Sequence, residues 1–202
     1  MKALDLFCGL GGFSDGLALE GFEVLGVEIE PKIAKLYKHP VIVADVMSLN
    51  PEDFRGYDLI VGSPPCRDFS QIGVLFRKRW KSPPDPEGKG MELVNAFVRF
   101  VKVAEPRFWL MENVPRLQKY YEPAKVDCFI GATMRRCFWG NFPPFLIPRD
   151  YNKGQFTERK ANFTRYPKDL LSHSWISSAQ RARIPLPVAR ALGKAIREAL
   201  SC

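Results

Sequence analysis

Ala3-Leu4-Asp5-Leu6-Phe7-Cys8-Gly9-Leu10-Gly11-Gly12-Phe13-Ser14-Asp15-Gly16 is the stretch that decides the fold. Its first half reads as a short apolar strand. Glycines then interrupt it, and glycine lets a turn take positive φ and lets a ligand approach the backbone. From Ser14 to Leu19 a helix begins. Strand, glycine turn and helix in that order form a nucleotide-type site. A glycine-rich turn alone is often only a tight turn, but two more strands follow it. Val24-Leu25-Gly26-Val27-Glu28 ends in a carboxylate suited to paired ribose hydroxyls. Val41-Ile42-Val43-Ala44-Asp45 ends in Asp45, placed to accept a bond from an adenine amino group.

A second pair of strands carries reactive groups. In Asp58-Leu59-Ile60-Val61-Gly62-Ser63-Pro64-Pro65-Cys66, a buried strand stops at a turn stiffened by proline, which fixes φ and donates no hydrogen bond. Phe108-Trp109-Leu110-Met111 runs into Glu112 and Asn113. Open α/β sheets place their chemistry at the carboxyl ends of strands. A lone buried cysteine is ordinarily a small core hydrophobe. Here a thiol and a carboxylate stand at strand ends beside a nucleotide-type site.

These motifs resemble the cytosine-C5 methyltransferases. The resemblance rests on Asp5 to Gly12, on Pro64-Pro65-Cys66 and on Glu112-Asn113-Val114. Arg136-Cys137-Phe138-Trp139-Gly140-Asn141 is similar to the segment after that family's second catalytic arginine, and residues 180–193 to its closing motif. The resemblance implies S-adenosylmethionine as methyl donor and a Rossmann-like α/β fold, a mostly parallel sheet with helices on both faces. It implies donor contacts from Asp5, Phe7, Gly9 and Gly11, from Glu28 and the adjoining Ile29 to the ribose, and from Asp45 and Val46 to the adenine. Cys66, presented by Ser63-Pro64-Pro65, would attack C6 of cytosine. Glu112 would hold N3 and N4, and Arg136 would contact O2. Such a cysteine needs a lowered pKa, and Arg67 and Arg136 are the expected sources of positive potential.

The chain also departs from the family. Arg67 follows the cysteine where glutamine is usual. Ala132 and Met134 stand in place of a glutamine and the first arginine. Ala182-Arg183 replaces the usual Gly-Asn of the closing motif. Between Asn141 and Gln180 lie 38 residues, where a DNA enzyme of the family carries a target-recognition domain. The expectation is therefore one domain over residues 1–202, with a small basic appendage at 142–179. Reading base edges in a major groove takes an inserted helix or ribbon. Structured RNA, for example in a ribosomal particle, is accordingly favoured over duplex DNA. Three alternatives stand beside this reading. One is N4 methylation by the Ser-Pro-Pro turn, another C5 methylation of DNA, and the third an inactive donor-binding module.

Charge supports a polyanionic partner. The net charge is +8. Arg67 and the run Arg77, Lys78, Arg79 and Lys81 follow the cysteine. Arg149, Lys153, Arg159, Lys160 and Arg165 alternate with Tyr151, Phe156, Phe163 and Tyr166. Cations bind phosphates and rings stack on unpaired bases. The five cysteines show no CxxC spacing, and neither histidine has a ligand pattern, so no metal is expected. No apolar run approaches the ~18 residues of a membrane span, and a cytoplasmic location is expected.

Overall fold

The computed structural model describes residues 1–70, 83–130, 134–146 and 182–201. Five strands form a parallel core: β1 (Lys2–Leu6), β2 (Glu23–Glu28), β3 (Val41–Val43), β4 (Leu59–Gly62) and β5 (Phe108–Asn113). The hairpin β6 (Val126–Ile130) and β7 (Met134–Asn141) adds two antiparallel strands at one side. The sheet order is β3-β2-β1-β4-β5-β7-β6. Strand order therefore reverses between β1 and β4. That reversal opens a crevice at their carboxyl ends, where such sheets bind ligands.

The strands alternate. Ala3, Leu59, Val61, Leu110 and Phe138 join one core cluster, and Leu4, Leu6, Ile60, Met111 and Trp139 the other. With both faces covered, the parallel strands must be apolar throughout, which is why each reads as a continuous hydrophobic run. Helix α1 (Gly12–Leu19) and the last helix cover the first face. Among the described residues, the short α-helix α2 (Pro31–Ala34) lies between α1 and the long central helix. The central helix, α3 (Met91–Ala104), covers the second face with Val94, Phe97, Phe100, Val101 and Ala104 at helical spacing. It ends at Glu105 in a left-handed conformation, whose N–H caps the Val101 carbonyl at 3.0 Å. Each fully buried Val, Leu, Ile or Phe contributes roughly 1.5–3 kcal/mol.

The last helix, α4 (Leu186–Leu200), returns the chain to its beginning. It packs on α1 so closely that a Cβ at Gly16 would lie 2.7 Å from the Ala189 carbonyl carbon. Glu20, at the end of α1, takes Arg190 at 2.9 Å and Arg197 at 3.3 Å.

The strand expectations are met to within a residue or two. The hairpin is the main addition. Its outer edge strand alternates Val126, Asp127 and Cys128, too short a pattern to read alone. Gly140 fits where it does because its φ of +145° sets its α-carbon against the Trp109 carbonyl, leaving no room for a side chain. The segment that follows β7 starts in the core. Phe142 is buried in the first core cluster, with its ring 5.9 Å from that of Phe145 and under the Lys125 ammonium at 4.3 Å. Leu93, half-buried on α3, lines the crevice.

Replacing Phe97 by Ala should cost about 3–5 kcal/mol, the usual range for a fully buried phenylalanine. Urea unfolding of the two proteins measures this; a loss below about 1 kcal/mol would mean that α3 does not seal this face.

Candidate active site

The glycine turn is built by backbone constraints. Phe7 leaves β1 at a φ of 58°, a left-handed conformation that costs an aromatic residue strain. Gly9 and Gly11 continue at 54° and 77°. A Cβ at Gly9 would meet nothing within 4 Å, so the turn presents bare backbone to open space. The Gly9 N–H donates to Glu28 Oε2 at 3.0 Å, and the Glu30 N–H donates to Oε1 at 2.9 Å. Each oxygen thus keeps a lone pair for a hydroxyl. Burial pushes the Glu28 carboxyl up from its usual range, against these N–H donors. Asp45 Oδ1 caps the turn Val46–Ser48 through the Met47 N–H at 2.9 Å, leaving the other oxygen to a ligand.

Beneath the turn lies a polar cluster. Ser14 Oγ donates to Asp5 Oδ2 at 2.5 Å and lies 2.6 Å from the Tyr37 hydroxyl. Desolvation raises the Asp5 carboxyl to about 7, with further upward pushes from Glu28 and Asp15. Burial, then the Asp5 charge, also holds the Cys8 thiol and the Tyr37 phenol up.

The second group meets at the ends of β4 and β5. Asn113, fully buried, donates from Nδ2 to the Pro64 carbonyl at 2.9 Å and so ties the proline turn to β5. Past the turn, the Phe69 N–H bonds the Cys66 carbonyl at 3.1 Å. β7 brings Arg136 against β5, and its Nη1 pairs with Glu112 Oε1 at 2.7 Å, both buried. The charges of this pair reach Cys66. Burial raises its thiol, Glu112 raises it further, and Arg136 opposes them. The expectation of a lowered thiol pKa is therefore corrected. Arg136 is committed to Glu112, and Arg67 Nε stands 3.8 Å from Asp68.

Both groups open on one cavity of about 570 Å³. Asp5, Phe7, Gly9, Glu28, Ile29, Asp45 and Val46 line it. Ser63, Pro65, Cys66 and Arg67 form a wall. Gly11, Pro64, Glu112 and Arg136 do not line it; the first two shape the turns, and the last two form the pair whose charges Cys66 feels. The basic residues Arg77, Lys78, Arg79, Lys81, Arg149, Lys153, Arg159, Lys160 and Arg165 lie outside the described residues. Among the described residues no cluster could hold a metal, and no helix is long and apolar enough to cross a membrane.

Residues 1–132 match the family of C-5 cytosine-specific DNA methylases. The chain belongs to that family. Type II methyltransferase M1.HphI of Haemophilus parahaemolyticus is 37% identical over 126 residues, covering 56% of this chain and 32% of the relative. Type II methyltransferase M.FnuDI of Fusobacterium nucleatum is 32% identical over 176 residues, covering 84% of this chain and 48% of the relative. The chain thus spans about half or less of these relatives. A solved E. coli prophage protein, described as a candidate DNA modification methyltransferase, superposes with a TM-score of 0.53 at 26% identity, over 70% of this chain and 46% of that one.

The family uses S-adenosylmethionine as its methyl donor. The cavity fits such a molecule. It has bare backbone at Gly9, acceptors on Glu28 for a diol and on Asp45 for an amine, and room for a nucleoside with an amino-acid tail. Sequence reasoning missed several members. Asn113 was visible as a polar strand end, but its bond to Pro64 was not. Tyr37 carries no motif. Ile184 and Arg183 line the cavity because α4 returns over α1, which only the fold reveals.

The Asp5 carboxyl gives a pH signature. It holds its proton to about 7 in the folded chain, against ~3.9 unfolded. Between those values the folded state binds more protons, so this group makes stability fall as pH rises from about 4 to about 7. Asp5→Asn should flatten that fall; urea midpoints measured across the range check it, and parallel profiles for both proteins would refute it. The thiol gives another. Glu112→Gln should speed alkylation of Cys66 by iodoacetamide, read by peptide mass spectrometry, because it removes the negative charge that raises the thiol. Slower alkylation would show that Glu112 does not act on the thiol this way.

Proposed function

We propose that the chain transfers a methyl group from S-adenosylmethionine to C5 of cytosine in DNA. One observation carries the reading: Cys66 shares a cavity wall with a nucleotide-type site and feels the buried Glu112–Arg136 pair. Phe7, Gly9, Glu28, Ile29, Asp45 and Val46 would hold the donor, which supplies an electrophilic methyl group. Cys66 gives its proton to Glu112 as Sγ forms a bond to cytosine C6. Charge then develops at N3, where Glu112 returns a proton; preorganised stabilisation of this kind is typically worth several kcal/mol. Arg136 fixes the orientation of Glu112. The C6 adduct makes C5 nucleophilic. After transfer, the C5 proton leaves to solvent, its bonding pair forms C5=C6 as Sγ departs with the C6 bonding pair, and the N3 proton returns through Glu112 to Cys66, in the manner of covalent catalysis. A base stacked in a duplex cannot reach the cavity, so the target is flipped out.

A raised thiol suits this order of events. Free Cys66 stays a protected thiol and ionises when a base arrives that can take up the charge. The N4 alternative is weaker, since it leaves the Cys66–Glu112–Arg136 grouping without a task.

The polymer is assigned to DNA on the family match and on the naming of the prophage protein. The earlier preference for structured RNA rested on the 38 residues between Asn141 and Gln180, and the comparisons lend it no support.

The experiment is methyl transfer from labelled donor to duplex DNA, single-stranded DNA and total RNA at one salt concentration, because phosphate binding depends steeply on salt. Digestion and mass spectrometry identify the product. The expected product is 5-methylcytosine in DNA, with Cys66→Ala lowering the rate by several orders of magnitude. Full activity of Cys66→Ala with N4-methylcytosine would overturn the mechanism, and 5-methylcytosine confined to RNA would overturn the polymer.

A further inference from the structure

We propose that Arg183 is the anchor for the carboxylate at the amino-acid end of the donor, and so a residue that determines which donor-like molecules bind. This rests on reading the cavity as the donor site. Arg183 stands where the family usually has Gly-Asn, so this is a property of the chain itself.

The cavity is lined by both signs of charge. Glu28 and Asp45 offer only acceptors to a ligand. Arg183 and Ile184 lie against Gly12 of the glycine turn, and Arg183 and Arg67 are the cations that line the cavity. Of these, Arg67 sits beside Cys66 and Asp68. The carboxylate of an amino-acid tail entering this cavity is repelled by Glu28 and Asp45 and attracted by the Arg183 guanidinium.

Arg183 is held for that task. Its Nη2 pairs with Asp15 Oδ2, while His39 Nε2 lies 2.9 Å from Asp15 Oδ1. Its side chain is 14% exposed. A Cβ at Gly12 would lie 2.9 Å from Arg183 Cγ, so the arginine stem lies directly on the glycine turn. A guanidinium has five N–H donors in a fixed fork. Asp15 orients one side of that fork, and the remainder can take a carboxylate. The N-terminal amides of α1, beside Gly12 and Phe13, add donors of the same sign. Arg183 is thus a binding residue, and Asp15 and His39 position it.

The test compares ligands rather than rates. S-adenosylhomocysteine carries the carboxylate. Its decarboxylated analogue and 5′-methylthioadenosine keep the nucleoside and the thioether without it. Calorimetry on the wild-type chain should show S-adenosylhomocysteine binding at least tenfold tighter than the decarboxylated analogue. Arg183→Met should lose about ten- to hundredfold for S-adenosylhomocysteine, the usual consequence of deleting a hydrogen bond to a charged group. Its affinity for 5′-methylthioadenosine should stay within about twofold, which also shows the site folded. Arg183→Lys should fall between. Equal losses for all ligands, or no loss, would overturn the proposal. Should Arg183→Met not fold, the wild-type ratio still decides, since equal wild-type affinity for S-adenosylhomocysteine and its decarboxylated analogue refutes the anchor. A wild-type chain that binds none of the three instead refutes the donor-site reading on which the proposal stands.

Discussion

The ion pair between Arg136 and Glu112 is the interaction on which the reactive half of the molecule depends. At 2.7 Å and almost out of water, it has removed two charges from solvent, a cost repaid only by close mutual attraction. Deleting either partner strands the other, which typically costs ~3–5 kcal/mol. The pair cannot form without the hairpin, because β7 must lie antiparallel to β5 for Arg136 to reach Glu112. The hairpin in turn needs Gly140 where it crosses Trp109, since no side chain fits against that carbonyl. The β5–β7 ladder therefore sets this electrostatic contact where Cys66 feels its charges. Asn113, one residue on, ties the proline turn to the same strand end. Thiol, carboxyl and guanidinium are held by a single local frame.

The donor side is held together differently, by close approach of backbones. Gly12 and Gly16 let the segment around Ile184 and helix α4 lie against α1 with no side chain between. A side chain at Gly16 would overpack the contact, and overpacking usually costs ~1–3 kcal/mol. The first and last helices so share one interface. That is how residues near 183 come to line a cavity whose other walls come from the first seventy residues and Leu93.

What was legible in the sequence follows from this division. The five parallel strands are buried on both faces, so their apolar runs announce themselves, and the acids ending them are conspicuous. Asp5, Phe7, Gly9, Glu28, Asp45, Ser63 and Cys66 were found because each sits at or just beyond such a strand end. The hairpin was not read as strands, because β7 mixes Arg135, Arg136 and Asn141 into its apolar run and β6 is short. The direction of the Cys66 shift was misjudged for a physical reason. A sequence shows which cations exist, but not that Arg136 is paired or that burial outweighs it. Arg183 was noticed only as a departure, since its meaning depends on a contact with Asp15 across most of the chain length.

The acids around the cavity form a coupled set. Burial raises Asp5 and Glu28, and Glu28 and Asp15 push Asp5 up further. Such a site is strained toward neutrality when nothing positive is near, because like charges at short range resist ionising together. A cation lodged between them relieves that strain and favours their ionised forms, so its binding releases protons at any pH where they are still held. With Asp5 near 7, that range includes neutral solution.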